Sequence, residues 1–147
     1  DQERLRRDRR RRTAGVHPYL VPPAHTAVAR KALGPGALVA PEQGVVLDAN
    51  PTTAREKARA AVGMYLPLPN YVNNWKRLGY AEDEITGMSD RFIDEIVAWG
   101  DLDAIAARVK AHHDAGADHV CLQVISGAMG GDFAPERAVW PELAKLL

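Results

Sequence analysis

His17 and Tyr19 are the first two side chains in the sequence whose types and spacing could bind a ligand. They lie in the short apolar run GVHPYLV (residues 15–21), which predicts a buried strand that stops at the following prolines. Side chains alternate between the faces of a strand, so both point the same way, opposite to Val16 and Leu20. Such a pair could hydrogen-bond a planar ring or a carbonyl group in a pocket; a purely structural pair is the alternative.

Gln123 is the polar residue of the most regular apolar run, DHVCLQVI (residues 118–125). One face of this predicted strand holds Val120, Leu122 and Val124, which suits contact with a layer of helices. Gln123 therefore points to the opposite side, where a pocket would lie. The alternative is a buried glutamine whose amide is satisfied by the backbone.

A cluster of asparagines in LPNYVNNW (residues 68–75) is the third candidate. Helical spacing places an apolar, packing face opposite a polar one. The apolar face holds Tyr71, Trp75 and Leu78, and the polar face holds Asn70, Asn73, Asn74 and Arg77. We expect the polar face to line the entrance of a substrate or cofactor site, and a face turned to solvent is the alternative.

A glycine-rich loop, SGAMGGD (residues 126–132), follows the last predicted strand. Backbone amides from Gly127 onward could cradle a phosphate there, and a flexible linker is the alternative. The remaining polar groups suit other roles. Glu42 precedes the regular part of a strand, where no chemical role is expected. His112 and His113 are adjacent on a helix, so they point apart and cannot chelate one metal ion; surface or packing roles are expected.

The elements that position these groups alternate along the chain. Strands are predicted at 15–21, 43–48 and 118–125. Helices are predicted at 24–34, from 51 after the Asn50 cap, at 70–79, 89–100, 101–116 and 135–147. Strands separated by helical crossovers form a parallel sheet, so the fold class is α/β. Three strands would leave two bare edges, a pattern typical of part of a larger α/β barrel.

The composition excludes several classes of protein. The 147 residues have a formal net charge of zero and 46% hydrophobic residues, as in a soluble globular domain. No apolar run is long enough to span a bilayer, and the single cysteine excludes an internal disulfide, which fits a cytoplasmic location. Residues 1–12 form an arm with seven arginines and three acids, but no nucleic-acid motif follows it, so we expect no nucleic-acid partner.

Four runs in this order resemble the C-terminal part of the luciferase-like monooxygenase superfamily, with most similarity to its coenzyme F-420-dependent (deazaflavin) oxidoreductases. They are AGVHPYLVPPAHTAVARKALGP, APEQGVVLDANPTTAREKARA, LPNYVNNWKRLGY and VAWGDLDAIAARVKAHHDAGADHVCLQVI. The resemblance covers residues 13–147 and excludes the arginine-rich arm at 1–12. It implies the C-terminal part of a TIM-type (β/α)8 barrel, with about three of the strands.

The resemblance also implies an activity. The intact enzyme would move a hydride between coenzyme F-420, or FMN as the alternative cofactor, and a small organic substrate. The family's usual proton-handling histidine lies on earlier strands, so we assign no catalytic residue and expect no turnover by this chain alone. The pocket residues expected from the strand ends and the asparagine cluster are His17, Tyr19, Asn70, Asn73, Asn74, Gln123 and Gly127. The sequence leaves open whether the chain forms a homo-oligomer. It also leaves open an alternative function, a non-catalytic binding or assembly module that uses the basic arm.

Overall fold

A computed structural model describes residues 14–127 and 133–146 of the chain. Five short strands alternate with seven α-helices in these residues. The strands are β1 (Gly15–Val16), β2 (Leu38–Val39), β3 (Glu42–Leu47), β4 (Ala98–Gly100) and β5 (Cys121–Val124). The helices are α1 (Pro23–Leu33), α2 (Pro51–Gly63), α3 (Pro69–Arg77), α4 (Glu82–Thr86), α5 (Asp90–Ile96), α6 (Leu102–Asp114) and α7 (Ala134–Leu143). A 3-10 turn, Ala144–Leu146, follows α7.

All strand pairs in the described residues are parallel, as predicted. β1 pairs with β2, and β3 lies between β4 and β5 in a second sheet. Backbone bonds continue between these sheets, because the amide of Glu42 donates to the Pro18 carbonyl at 2.8 Å and that of Cys121 to the Pro41 carbonyl at 3.0 Å. The segment from β2 to β3 is therefore flanked by the β1 segment on one side and by β5 on the other.

The first predicted strand is shorter than expected. Regular pairing covers only Gly15–Val16 rather than residues 15–21, although Pro18 still accepts one ladder bond. Pro18 has no N–H to donate, and Leu20 has a φ of 51°, a left-handed conformation that interrupts any strand. The chain thus turns away from the sheet directly after Tyr19.

The prediction of a helix over residues 89–100 is wrong at its C-terminal end. Ser89 does cap α5, accepting from the Phe92 amide at 3.2 Å, but the helix ends at Ile96. Val97 is extended, and Ala98, Trp99 and Gly100 pair with Val45, Val46 and Leu47 as strand β4. Hydrogen bonding to a neighbouring strand therefore overrides the helical pattern at the end of this segment.

Helices cover both faces of the β4–β3–β5 sheet. Val45 and Val46 are both buried and point to opposite faces. The Val46 face packs against α2 and the aromatic segment that contains Trp75 and Phe92. The Val45 face packs against α6 and α7, with Leu122 and Val124 at its border, as the strand pattern predicted. No closed barrel is formed by residues 14–127 and 133–146.

Two sequence features lie outside the described residues. These are the arginine-rich arm at 1–12 and most of the glycine-rich loop, residues 128–132. In the part of the chain that is described, no helix is both long enough and apolar enough to cross a bilayer.

Candidate functional site

Tyr19 and Gln123 meet across the sheet, on the side of β5 to which strand alternation directs Gln123. The Tyr19 hydroxyl donates to Oε1 of Gln123 at 2.7 Å, and it accepts from the Tyr65 hydroxyl at 2.9 Å. Burial, followed by the hydrogen bond from Tyr65, raises the pKa of Tyr19. The phenol therefore stays protonated and remains a hydrogen-bond donor at neutral pH.

His17 lies beside this pair with its ring fixed. Nδ1 of His17 is 2.6 Å from the Ala40 carbonyl oxygen, which only accepts, so Nδ1 carries the proton. Nε2 lies 3.6 Å from Oε2 of Glu42. β3 begins at Glu42, and its carboxylate lies beside the β1 segment. The expectation that Glu42 has no chemical role stays a prediction.

An open cavity of about 600 Å³ adjoins these groups. It lies between the β1 segment, helix α1 and helix α3. Apolar side chains form its floor, and polar side chains from α1 and α3 form part of its wall. The lining residues are Val16, His17, Pro18, Tyr19, Val21, His25, Ala29, Ala32, Leu33, Asn70, Tyr71, Asn74 and Arg77. A concave apolar surface with a few polar groups is the usual form of a small-molecule site.

Helix α3 contributes only part of the predicted polar face. Asn70, Asn74 and Arg77 line the cavity together with Tyr71, whereas Asn73 is exposed and lies outside the lining. At about 100° per residue, Asn73 is roughly 90° around the helix from the centre of this face. Tyr71 and Trp75, on the side of α3 away from Asn73, pack against the core.

One lining residue, His25, was missed by the sequence reasoning. Nδ1 of His25, in the first turn of α1, is buried and has no hydrogen-bond partner among residues 14–127 and 133–146. Burial, and then the charge of Arg77, lowers the pKa of His25, so its ring is neutral. Arg77 adds a cation at the rim. No local signal marks His25, because α1 and α3 approach each other only in the folded chain.

Trp75 joins two walls of the cavity. Its indole Nε1 donates to the Leu20 carbonyl at 3.0 Å, and both residues are buried. This bond holds the left-handed turn that follows Tyr19. The predicted packing role of the aromatic residues is confirmed, since Tyr71 and Trp75 rings lie 6.0 Å apart at their centroids and continue into the core.

A second cavity, of about 400 Å³, lies behind Gln123. Gln123 and Gly127 line it together with Lys57, Met64 and Trp140. Gly127 has a φ of 84°, and a Cβ there would lie 3.0 Å from Cγ of Lys57. Glycine is thus required at the turn for a conformational reason. The Lys57 ammonium is already paired with Asp48 at 2.8 Å, so it is not a free anion-binding group.

His112 has the packing role expected and forms a buried network. Nδ1 of His112 is 2.8 Å from Thr26 Oγ1, and Nε2 is 3.0 Å from Gln43 Oε1. The Gln43 amide nitrogen donates to two backbone carbonyls, so its oxygen must accept from His112 Nε2–H. Burial lowers the pKa of His112 to about 4. This ring is a neutral link between helices α1 and α6.

The described residues contain no cluster of three or more histidine, cysteine or acidic side chains that could hold a metal ion. Tyr19, His17 and Glu42 are suited to hydrogen bonding. The arrangement can bind an uncharged or anionic molecule with an aromatic or apolar body and hydrogen-bonding edges.

The comparisons with known proteins support the fold. No family model and no curated protein matches the sequence. A solved structure, described as an F-420-dependent secondary alcohol dehydrogenase in complex with an F-420–acetone adduct, matches with a TM-score of 0.53 at 16% identity. The match covers 88% of this chain and 43% of that chain, so this chain spans less than half the length of its structural neighbour. The parallel α/β arrangement therefore corresponds to part of a TIM-barrel protein.

Proposed function

We propose that this chain forms part of the binding site of an F-420-dependent oxidoreductase. The cavity between the β1 segment, α1 and α3 receives the deazaflavin ring or the organic substrate. The observation that carries this proposal is the cavity itself, because it joins an apolar floor to the converging polar groups of His17, Tyr19, Asn70 and Asn74. The fold shared with a deazaflavin enzyme supports it.

The residues present fit a deazaflavin. Its planar ring has a pyrimidine edge with carbonyl and N–H groups, and the side-chain amides of Asn70 and Asn74 both donate and accept. The Tyr71 ring and the aliphatic floor suit the flat, apolar part of the molecule. His25 Nδ1 offers a buried nitrogen that has no partner in the described part of the chain. Arg77 at the rim suits the anionic tail of the coenzyme.

The coenzyme, when bound, supplies hydride chemistry, and the protein supplies binding and orientation. In this chain Asn70 and Asn74 would hold the ring edge, and Tyr19 would donate a hydrogen bond from the cavity wall. Gln123 keeps the Tyr19 hydroxyl oriented from the other side. Gln123 and Gly127 would then contribute to binding through the second cavity, which they line, rather than through the first.

The test is equilibrium binding of coenzyme F-420 to the purified chain, followed by the fluorescence of the deazaflavin. We expect saturable binding that Asn74→Ala weakens about tenfold, which corresponds to loss of one hydrogen bond of about 1.4 kcal/mol. Asn73→Ala is the matched control, since it makes the same change on the same helix outside the cavity, and it should leave the affinity unchanged.

FMN titrated in parallel distinguishes the two ring cofactors. Tighter binding of FMN than of F-420 would replace the deazaflavin assignment by a flavin one. Absence of saturable binding of F-420, or an equal loss of affinity in Asn73→Ala and Asn74→Ala, would contradict the proposal.

A further inference from the structure

Arg77 presents a positive charge to the first cavity with no carboxylate beside it. Its side chain lines the cavity from the last turn of α3, and in the described part of the chain it forms no ion pair. Other arginines of this part of the chain do have acidic partners, namely Arg30, Arg55, Arg59 and Arg91. The charge of Arg77 is therefore available to a molecule that enters the cavity.

The cavity lining contains basic side chains but no acidic one. Arg77, His17 and His25 line it, whereas no aspartate or glutamate of residues 14–127 and 133–146 does. Glu42 approaches His17 at 3.6 Å, but its side chain is not part of the lining. An anion that enters the cavity thus meets an attractive charge and no like charge on the wall.

His25 exposes only one of its two ring nitrogens. Nδ1 is buried and has no partner among the described residues. Nε2 forms no hydrogen bond in the same residues, but it is accessible rather than buried. Because the His25 side chain lines the cavity, Nε2 is the nitrogen that a bound molecule can reach.

The burial of Nδ1 fixes the proton of the His25 ring on Nε2. A proton on Nδ1 would place an N–H group in the interior without an acceptor, which is the costly arrangement for a buried donor. Burial, and then the charge of Arg77, lowers the pKa of His25, so the ring does not take a second proton at neutral pH. His25 is therefore a neutral ring that offers an Nε2–H donor to the cavity.

We propose that Arg77 and the Nε2–H group of His25 form a subsite for an oxyanion, the phosphate or carboxylate group of the molecule that the cavity binds. The guanidinium group can donate to two oxygens of such a group, and His25 donates to the same group from helix α1. The subsite therefore depends on the approach of α1 to α3.

The position of the subsite limits the shape of the molecule. The rings of Tyr71 and Tyr19 lie 6.3 Å apart at their centroids, so α3 begins beside Tyr19. Arg77 follows six residues after Tyr71, which is about 9 Å along the helix axis. The oxyanion is thus separated by about this distance from the part of the molecule beside Tyr19. That this part is a deazaflavin ring rests on the proposed function, whereas the oxyanion subsite does not.

The test is a titration of the labelled, ligand-free chain with inorganic phosphate and, separately, with acetate. The side-chain signals of Arg77 and His25 are followed by NMR, and sodium chloride at equal ionic strength controls for screening. We expect saturable shifts of both side chains with one dissociation constant, and none with chloride. The anion that binds more tightly identifies the group as phosphate or carboxylate. Binding of either anion without binding of F-420 would refute the deazaflavin assignment and support the subsite.

Two variants and a matched control test the two donors. Arg77→Gln should weaken binding of the anion about tenfold, because a hydrogen bond to a charged group is lost. Arg137→Gln removes the same charge from an exposed position outside the cavity and should leave the affinity unchanged. His25→Phe keeps a ring but removes the donor, so the affinity should fall about tenfold as well. Since this change also removes the buried nitrogen without a partner, the urea midpoint of unfolding should not fall.

Three results would overturn the proposal. The first is the absence of saturable shifts at Arg77 and His25 with both anions. The second is an equal loss of affinity in Arg77→Gln and Arg137→Gln, which would show that only the net charge of the chain matters. The third is an unchanged affinity in His25→Phe, which would remove His25 from the subsite.

Discussion

The Tyr19 hydroxyl donates a hydrogen bond of 2.7 Å to Oε1 of Gln123, a residue 104 positions further along the chain. Tyr19 lines one cavity and Gln123 lines the other, so this single bond connects the two candidate binding surfaces. It also joins the β1 segment to β5 on the face of the sheet opposite to helix α6. The relative position of both cavity walls thus depends on the pair.

The Tyr19–Gln123 hydrogen bond should be measurable as a coupling energy between substitutions at the two residues. We expect Tyr19→Phe and Gln123→Leu each to lower the free energy of unfolding, and the double variant to lose less than the sum. The coupling energy should be about 1 kcal/mol, the usual net value of one intramolecular hydrogen bond. Urea unfolding of the four proteins measures it, and fully additive losses would show that the bond contributes nothing.

Trp75→Phe should destabilise the chain more than its small loss of volume explains. The substitution leaves the buried Leu20 carbonyl without its donor, which costs about 1–3 kcal/mol. The left-handed turn at Leu20 then loses its anchor, so F-420 binding should weaken as well. Trp140→Phe is the control, because Trp140 is 56% exposed and the same change there should alter the unfolding free energy little. Equal effects of the two variants in urea unfolding would contradict this role of Trp75.

His112 should make stability depend on pH. Its pKa is about 4 in the folded chain and about 6.5 when unfolded, so the unfolded state binds more protons between these values. Stability from this group is complete above pH 6.5 and is lost as the pH falls toward 4. At 1.36 kcal/mol per pH unit the loss is about 3 kcal/mol.

The measurement compares unfolding free energies of the wild-type chain and His112→Gln from pH 7.5 to 4. The unfolding free energy of the wild type should exceed that of His112→Gln by less and less as the pH falls across this window. His119→Gln, the same change at an exposed histidine, is the matched control. A difference between wild type and His112→Gln that does not vary with pH would contradict the neutral, buried assignment.

Features with local causes were predictable from the sequence. Asn50 caps α2 by accepting from the Thr52 and Thr53 amides, and Asp101 caps α6 through the Ala104 amide. These bonds involve neighbours in the chain, so residue type and spacing are sufficient. Strand alternation likewise placed Gln123 on the face that meets Tyr19, since the period of two is fixed by backbone geometry.

Features that depend on distant partners were not predictable. Strand β4 exists because Ala98, Trp99 and Gly100 pair with β3, more than fifty residues earlier in the chain, and its local pattern continues that of helix α5. Glu42 meets His17 only because β3 lies against the β1 segment. His25 and Asn73 show the same limit, since the orientation of α1 and α3 decides which side chains line the cavity.

We expect the cavity between the β1 segment, α1 and α3 to bind a deazaflavin. The decisive experiment is the titration of 15N-labelled protein with coenzyme F-420 while the side-chain amide signals of asparagine are observed by NMR. We predict saturable shifts of the Asn70 and Asn74 amides, with Asn73 unmoved. Shifts confined to residues outside the cavity, or equal shifts of all three asparagines, would contradict it.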